Sequence, residues 1–478
     1  MKTQTKKLQL NGNSISYPVQ SAINERDDRK VKSFIFFTQN KQAILRILLC
    51  LVLLSGSIIG CKKTDNTPFP GNNGASHYSS DVIDKWITMQ LRLMRNATGI
   101  PNVAFSRYYA YSGVAAFEAL APGTFLGSSC TGKWNGLTSM PLTDKFKKYF
   151  WPASVNTALA SMNRNIFTTA NATDKAAIDS LEAALNTSFS GTANADVITQ
   201  SNDFGKAIAD AVFNWSETDG YKNASAPYTP PAGPGLWVPT PPAFATASTP
   251  YWGNIRTIVA GSIDNTQPGP PVAYSEDPKS LFYQMVKQVY DASQTLTPDQ
   301  TAMALYWRDI PGVTSPGHWL SILQQTIQQT YSRLDKAAFS YAVTGVCLSD
   351  ACISCWQTKY HYNLVRPITY IQNVMGFTSW ASLLTTPAHP EYSSAHAVLS
   401  AATADAFTVL FGNIGSITDH TYDYMGFAPR TFSSFRAIGE DAGNSRFYAG
   451  IHYQPSIDIG LIQGRKVAKN ILNRMGLH

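Results

Sequence analysis

The sequence predicts an all-α fold, and three observations carry that expectation. Apolar residues recur at helical spacing in one segment after another. No strand–loop–helix alternation, nucleotide-type glycine loop or fixed-period repeat interrupts them. Only 14% of the 478 residues are charged, against 44% hydrophobic and 12% aromatic, which excludes a disordered chain and supplies a large core. The elements follow in order. Ile83, Trp86, Ile87, Leu91 and Met94 fall within roughly 140° of arc, with Ser80 or Asp81 placed to cap their helix. Further helices are expected over 102–120, 152–168, 173–187 and 193–217. Residues 227–250 hold eight of the 27 prolines along with Tyr228, Trp237 and Phe244, and Trp252 follows. Such a stretch is a long irregular loop, either a linker between domains or a lid or binding wall, and its aromatics favour the second. Leu320, Leu323, Ile327, Tyr331, Leu334, Ala338 and Tyr341 form one stripe within about 100°, which predicts a helix of some six turns. Helices at 347–365, 394–412, 430–448 and 455–474 complete a single helical domain over 80–478, with the polar motifs in the half beyond about residue 300.

Charge sets the N-terminus apart. Residues 1–60 hold nine Lys/Arg and three Asp/Glu, whereas the rest holds 29 basic and 28 acidic residues, so the net charge of +7 belongs almost wholly to the leader. A nucleic-acid-binding body would need a basic excess of its own. Lys41 and Arg46 precede an apolar run, Ile47 to Ile59, that is short for a bilayer span and ends at Gly60-Cys61. This pattern predicts a secretory lipoprotein signal over 1–60, with Cys61 lipidated and residues 61–79 a flexible tether; an uncleaved anchor is the alternative. Either way the body is exported, on the periplasmic or surface side of a bacterial envelope, and the lipid is its only expected membrane contact. No later apolar run reaches about 18 residues. Of the other cysteines, Cys352-x-x-Cys355 lacks a second metal half-site and sits in a helical stretch, so it and Cys130 and Cys347 are expected buried, with a disulfide open to an exported protein.

Three segments carry chemistry. In Lys359-Tyr-His-Tyr-Asn-Leu-Val-Arg366-Pro367 the seven-residue spacing equals two helical turns, which puts both cations on one face with proline ending the helix after Arg366. In His389-Pro-Glu-Tyr-Ser-Ser394-Ala395-His396 a polar turn leads into an apolar helix, whose first turn offers free N–H groups and a positive dipole end. In Ser445-Arg446-Phe-Tyr-Ala-Gly450-Ile-His452, Gly450 is expected to break the helix and let Arg446 and His452 converge. Each alone could be a solvated face, a cap or core packing. Together, two Arg, a Lys, a Ser and two His in a nearly neutral body describe a site for a tetrahedral oxyanion.

The order K-x6-RP, S-x-H, SR-x5-H resembles the superfamily of vanadium-dependent haloperoxidases and type 2 phosphatidic acid phosphatases. The run Asp350 to Trp356 and Gly235-Leu-Trp-Val-Pro239 resemble its haloperoxidase-like branch. The resemblance implies a large helical bundle of that type. It implies vanadate as cofactor, with phosphate a competing oxyanion. Lys359, Arg366, Ser394, Arg446 and the amide of Ala395 would hold the oxyanion, His452 would be the axial ligand of vanadate, and His396 the general acid/base. The implied partners are hydrogen peroxide and a halide. His389, at a position that is Phe in chloroperoxidases and His in bromoperoxidases, favours bromide or iodide. The alternative is an acid phosphatase acting on phosphate esters through His452 as nucleophile. A third, non-catalytic reading is a glycan-binding surface lipoprotein, which has no need of these residues at this spacing. Family relatives are often dimers, so a homodimer stays open. Three positions depart from the pattern or extend it. Ala395 stands where Gly is usual. Ser456 stands where phosphatases have an Asp that orients the axial His, leaving Asp458 or another group to do so. Asp309 resembles an acid that pairs with the second Arg.

Overall fold

Helices dominate, as the periodicity predicts. The computed structural model describes residues 74–124, 129–309 and 312–477. The expected signal, Cys61 and the tether before residue 74 lie outside the described residues. In chain order the helices are α1 (Asp81–Asn96), α2 (Ala104–Glu118), α3 (Trp151–Ile166), α4 (Ala172–Phe189), α5 (Ala195–Ser216), α6 (Leu281–Gln294), α7 (Pro298–Tyr306), α8 (Ser315–Gln329), α9 (Leu334–Tyr362), α10 (Pro367–Asn373), α11 (Ala395–Phe411), α12 (Phe435–Tyr448) and α13 (Gln454–Met475). Two short strands, β1 (Ile417–Asp419) and β2 (Arg430–Phe432), pair antiparallel with Ile417 opposite Phe432.

The core is built on α9. Apart from Asp350, residues 337–356 of this 29-residue helix are apolar or small, and 94% of its most apolar stretch is buried; among the described residues only this helix is long and apolar enough to cross a membrane. Burial on all sides explains why it shows no one-faced stripe of its own. Helix α2 lies against it so closely that each helix needs a glycine at the crossing. A Cβ on Gly113 would sit 2.8 Å from the Tyr341 carbonyl, and one on Gly345 would sit 2.5 Å from that of Tyr109. On another side α11 packs on α9 and is itself flanked by α12 and α13. Four of the site's elements, α9, α11, α12 and α13, are thus fixed to one another by the core.

The structure corrects three helix expectations. The six-turn stripe is two helices. Helix α8 ends at Gln329, Tyr331 turns outward with φ +49 and 89% exposure, and α9 starts at Leu334. The four residues between them advance the sequence by about one helical turn, so the apolar phase survives although the axis does not. The helix expected from 347 accordingly begins at 334. The helix expected from 430 begins at Phe435, where the Ser434 hydroxyl accepts the Ala437 N–H, and 430–432 is strand.

The proline-rich segment is a wall rather than a linker. Trp237 is fully buried, and its backbone N–H donates to the Asn363 carbonyl (2.6 Å). The Tyr228 hydroxyl donates to Asn363 Oδ1 (2.7 Å). Both contacts pin the segment to the end of α9. The four described cysteines, Cys130, Cys347, Cys352 and Cys355, are buried and free, with no disulfide between Cys352 and Cys355.

Candidate active site

The three motifs converge, though not as the spacing alone suggests. Lys359 lies in the last turn of α9, which Asn363 closes in the left-handed conformation at φ 48. Arg366 is not on that helix. It is the residue capping α10, and Pro367 opens that helix at the first position, where no N–H is needed, instead of closing the previous one. The two cations still meet, through the segment between them. The Lys359 ammonium donates to the carbonyls of Pro390 and Glu391 (3.0 Å each). Arg366 donates from Nε to the His389 carbonyl (2.9 Å), from Nη2 to His389 Nδ1 (2.9 Å), and from Nη1 to the Ile451 carbonyl (2.8 Å).

Arg446 occupies the last turn of α12, and Gly450 at φ +76 reverses the chain, as expected, with the Ile451 N–H returning to the Arg446 carbonyl. That reversal brings His452 Nε2 to 3.3 Å from Arg366 Nη1. Arg446 is itself held by Ser445 Oγ and the Ala304 carbonyl (2.9 Å each).

Helix α11 supplies the third group. Ser394 is its N-cap residue, yet its hydroxyl makes no cap bond and, though buried, has no protein partner. Ala395 is the first helical residue and is absent from the positive-φ positions, so Ala serves as well as Gly and its N–H is kept. His396 Nε2 donates to the Trp307 carbonyl (2.9 Å), which leaves Nδ1 as the ring's acceptor. Asp309 lies 3.8 Å from His396 Nε2 and accepts the Ser315 N–H. Its expected partner Arg446 acts on it through charge, while the arginine's hydrogen bonds go to Ser445 and Ala304.

A residue the motifs did not single out orients His452. Glu391 is fully buried and its Oε1 accepts both His452 Nδ1–H (2.8 Å) and the Tyr453 N–H (3.0 Å). Its Oε2 accepts the Ser456 hydroxyl (2.6 Å). The carboxylate expected at position 456 has therefore moved to another loop, and the serine left behind binds it. Asp458 takes no part: it is exposed and accepts from Gln454 Nε2. The only sequence signal for Glu391 was an acid inside the polar turn before α11.

Burial sets the electrostatics. It lowers Lys359 to about 8, and lowers Arg366 and Arg446 to about 10 each. Burial, together with the neighbouring cations, pushes His389, His396 and His452 well below the usual imidazole range, so all three are neutral at pH 7. Burial lifts Glu391, opposed by its hydrogen bonds and by Arg366 and Lys359. Three fully buried cations thus share two carboxylates, the fully buried Glu391 beside Lys359 and Arg366 and the part-buried Asp309 beside Arg446, and a bound anion would relieve the remaining excess of positive charge. Lys359 and Arg446 retain unused N–H donors, the Ser394 hydroxyl is unpaired, and His452 Nε2 accepts only from Arg366 Nη1, at 3.3 Å. Among the described residues no cluster of three His, Cys, Asp or Glu could hold a bare metal ion. The donor set suits an oxyanion such as vanadate or phosphate.

A cavity of about 740 Å³ opens onto the group, with His389, Ala395, His396, Arg446 and His452 in its lining. Trp356 lines it too, its ring 5.0 Å from that of His389 and its Nε1–H on Thr249 Oγ1 (3.1 Å).

Residues 339–477 match the family described as the VCPO second helical-bundle domain. The chain is similar to a solved structure reported as the first bacterial vanadium-dependent iodoperoxidase. The two are 33% identical with a TM-score of 0.76, over 84% of this chain and 97% of that one. It also shares its fold with a bacterial vanadium-dependent chloroperoxidase in holo and apo forms. Both are 15% identical, with TM-scores of 0.60 and 0.59, over 80% and 79% of this chain and 93% and 95% of theirs. No curated protein matches the chain.

Proposed function

Because the chain belongs to the vanadium-dependent haloperoxidase family, within the superfamily shared with type 2 phosphatidic acid phosphatases, we propose that it oxidises iodide, and bromide less readily, with hydrogen peroxide at a vanadate held on His452. It is an enzyme of the haloperoxidase type, and similarity to an iodoperoxidase over nearly that protein's whole length supports iodide as the halide. The single observation that carries the site is the buried, unpartnered Ser394 hydroxyl, at the start of the helix that bears His396 and amid three buried cations.

Vanadate, when bound, supplies a centre that makes an oxygen of peroxide electrophilic toward halide. The chain's own residues do the rest. His452 would be the ligand through Nε2, because Glu391 accepts a hydrogen bond from Nδ1–H and so fixes the tautomer. Lys359, Arg366, Arg446, the Ser394 hydroxyl and the Ala395 N–H are the oxyanion's donors. His396 takes the peroxide proton at Nδ1. The Trp307 carbonyl holds its other proton, and burial beside Arg446 keeps the ring neutral and ready to accept.

The test is the vanadium content of vanadate-loaded, desalted protein beside His452→Ala, followed by triiodide formation with peroxide. Stoichiometric vanadium lost in the variant, with iodide preferred to bromide and chloride, is the expected result. Hydrolysis of phenyl phosphate by the vanadate-free protein, without halide oxidation after loading, would replace the reading with an acid phosphatase. The leader supports export and lipid anchoring at Cys61. Palmitate labelling of cells producing the protein, lost in Cys61→Ser, checks that part.

A further inference from the structure

The turn between Pro141 and Lys148 leaves large apolar side chains in water. Leu142 is 90% exposed and Phe146 is 81% exposed, among the most exposed large hydrophobics of the described residues. Apolar residues scattered singly on a surface need no explanation, but these two stand on one turn. Lys145, Lys147 and Lys148 are exposed beside them. The body beyond residue 60 holds 29 basic and 28 acidic residues, so three lysines within four positions are a local concentration and not a general excess.

The turn is held in shape by its own hydrogen bonds. Asp144 Oδ1 accepts the Phe146 N–H (2.9 Å), the Asp144 carbonyl accepts the Lys147 N–H (3.1 Å), and the Asp144 N–H donates to the Tyr149 hydroxyl (2.9 Å). Gln200 Nε2 donates to the Lys148 carbonyl (3.0 Å). Behind the turn Tyr149 and Phe150 are buried, with Tyr149 stacked on Trp151 at 5.5 Å. A backbone fixed in this way keeps Leu142 and Phe146 outside, and the Lys145 ammonium stands 5.0 Å from the centre of the Phe146 ring. Apolar tips flanked by ammonium groups suit the interface of an anionic bilayer, where the tips enter the acyl boundary and the lysines meet lipid phosphates.

The place of the turn in the fold points to the same partner. Gly74, the first described residue, lies against the Gly123 carbonyl, and Gly123 in turn packs on the Trp151 indole. The Tyr78 ring meets that of Phe150 at 5.1 Å. The body therefore begins beside the turn. Thirteen residues separate Cys61 from Gly74, so a lipid on Cys61 keeps this end within about 45 Å of the bilayer. The start of α9 lies at the same end, where the Leu334 N–H donates to the Tyr78 carbonyl (3.1 Å). Lys359 is about 38 Å further along that helix, at 1.5 Å per residue.

We infer that residues 141–148 dock the body on an anionic phospholipid surface. Leu142 and Phe146 insert, Lys145, Lys147 and Lys148 meet the headgroup phosphates, and the oxyanion site is held at the end of α9 away from the bilayer. The inference rests on lipid anchoring at Cys61 to bring the turn to the surface, and it is independent of the reaction.

The test puts an environment-sensitive NBD probe on Phe146→Cys in the lipoprotein as cells produce it, since the other described cysteines are buried. The protein is reconstituted on vesicles of phosphatidylcholine, alone or mixed with phosphatidylglycerol. On the mixed vesicles the emission should move to the blue and be quenched by nitroxide lipids. Changing Lys145, Lys147 and Lys148 together to Gln should lower the docked-to-free ratio about 100-fold, and Leu142→Ser about tenfold. These side chains are exposed, so thermal midpoints should match the parent. A probe on Phe244→Cys, exposed on the proline-rich wall, should stay in water. A Phe146 probe that stays in water while the lipoprotein floats with mixed vesicles overturns the docking surface alone. Where palmitate labelling shows no lipid at Cys61, the same probe is read on the unanchored chain with excess mixed vesicles: a blue shift sustains the surface without the anchor, and none overturns both. A blue shift without vesicles that grows with protein concentration assigns the turn to a second copy of the chain and overturns the membrane reading.

Discussion

Glu391 gives the sharpest test of the site. Three groups donate to its buried carboxylate: His452 Nδ1–H at 2.8 Å, the Tyr453 N–H at 3.0 Å and the Ser456 hydroxyl at 2.6 Å. In Glu391→Ala all three lose their acceptor, and the His452 ring loses the partner that holds Nε2 as its bare nitrogen. A hydrogen bond to a charged group contributes about 1.5–3 kcal/mol, and partners standing behind a metal ligand typically cost about 10–100-fold in affinity when removed. The expected result is vanadate binding weakened by about 10–100-fold. Glu391→Gln, which keeps the shape but can accept at only one of its two positions, should fall between. The structure also specifies a rescue. Ser456 Oγ already touches Glu391 Oε2, so Ser456→Asp in the Glu391→Ala background puts a carboxylate into the vacated space, at the position where the phosphatases carry theirs. The double variant should recover most of the affinity, which simple damage to the fold would not allow. The assay is equilibrium vanadate titration of the unloaded protein, with ¹⁵N NMR of the His452 ring reporting which nitrogen bears the proton. Glu391→Ala binding vanadate as tightly as wild type, with its tautomer unchanged, would refute the reasoning.

Four further outcomes follow from the same contacts. His396→Ala should retain vanadate yet lose about 10²–10⁴-fold in iodide turnover, the range of a removed general base, read by stopped-flow triiodide formation. Burial lowers Lys359 to about 8, so its cationic form prevails below that pH and its neutral form above. Vanadate affinity of the unloaded protein should therefore decline as pH rises through about 8, and Lys359→Gln should bind more weakly and lack that limb. Burial alone would raise Asp419, but His318, at 2.6 Å, and Thr421 hold it below the usual carboxylate value. The stability it contributes is present above the unfolded carboxylate pKa and is lost as pH falls through the lower folded value. Asp419→Asn should cost about 1–3 kcal/mol in thermal unfolding at pH 7, as expected when buried hydrogen bonds to a charged group are weakened. Gly345→Leu should cost about 1–3 kcal/mol or prevent folding, because α2 leaves no room for a side chain there.

What the sequence could and could not reveal follows from where each piece of information resides. Lys359, Arg366, Ser394, His396, Arg446 and His452 were legible because the chemistry needs those residue types in a recurring order along the chain. The apolar bodies of the helices were legible from their period. The break at Tyr331 was not, because an interruption close to one helical turn leaves that period in phase on both sides. Pro367 was misread for a related reason: a proline after a helical segment can end that helix or open the next, and the deciding fact, Asn363 in the left-handed conformation, is one of geometry. Glu391 shows the deeper limit. Orienting a histidine needs some carboxylate within hydrogen-bond reach of Nδ1, and any loop that comes close enough can supply it. Here it is supplied from 61 residues before His452, with Ser456 at the vacated position turned to hold it. The constraint acts on a point in space, which two positions far apart in the chain can satisfy equally well. The position that carries the ligand can therefore be read from a motif, while the residue that supports it is found only once the chain is folded.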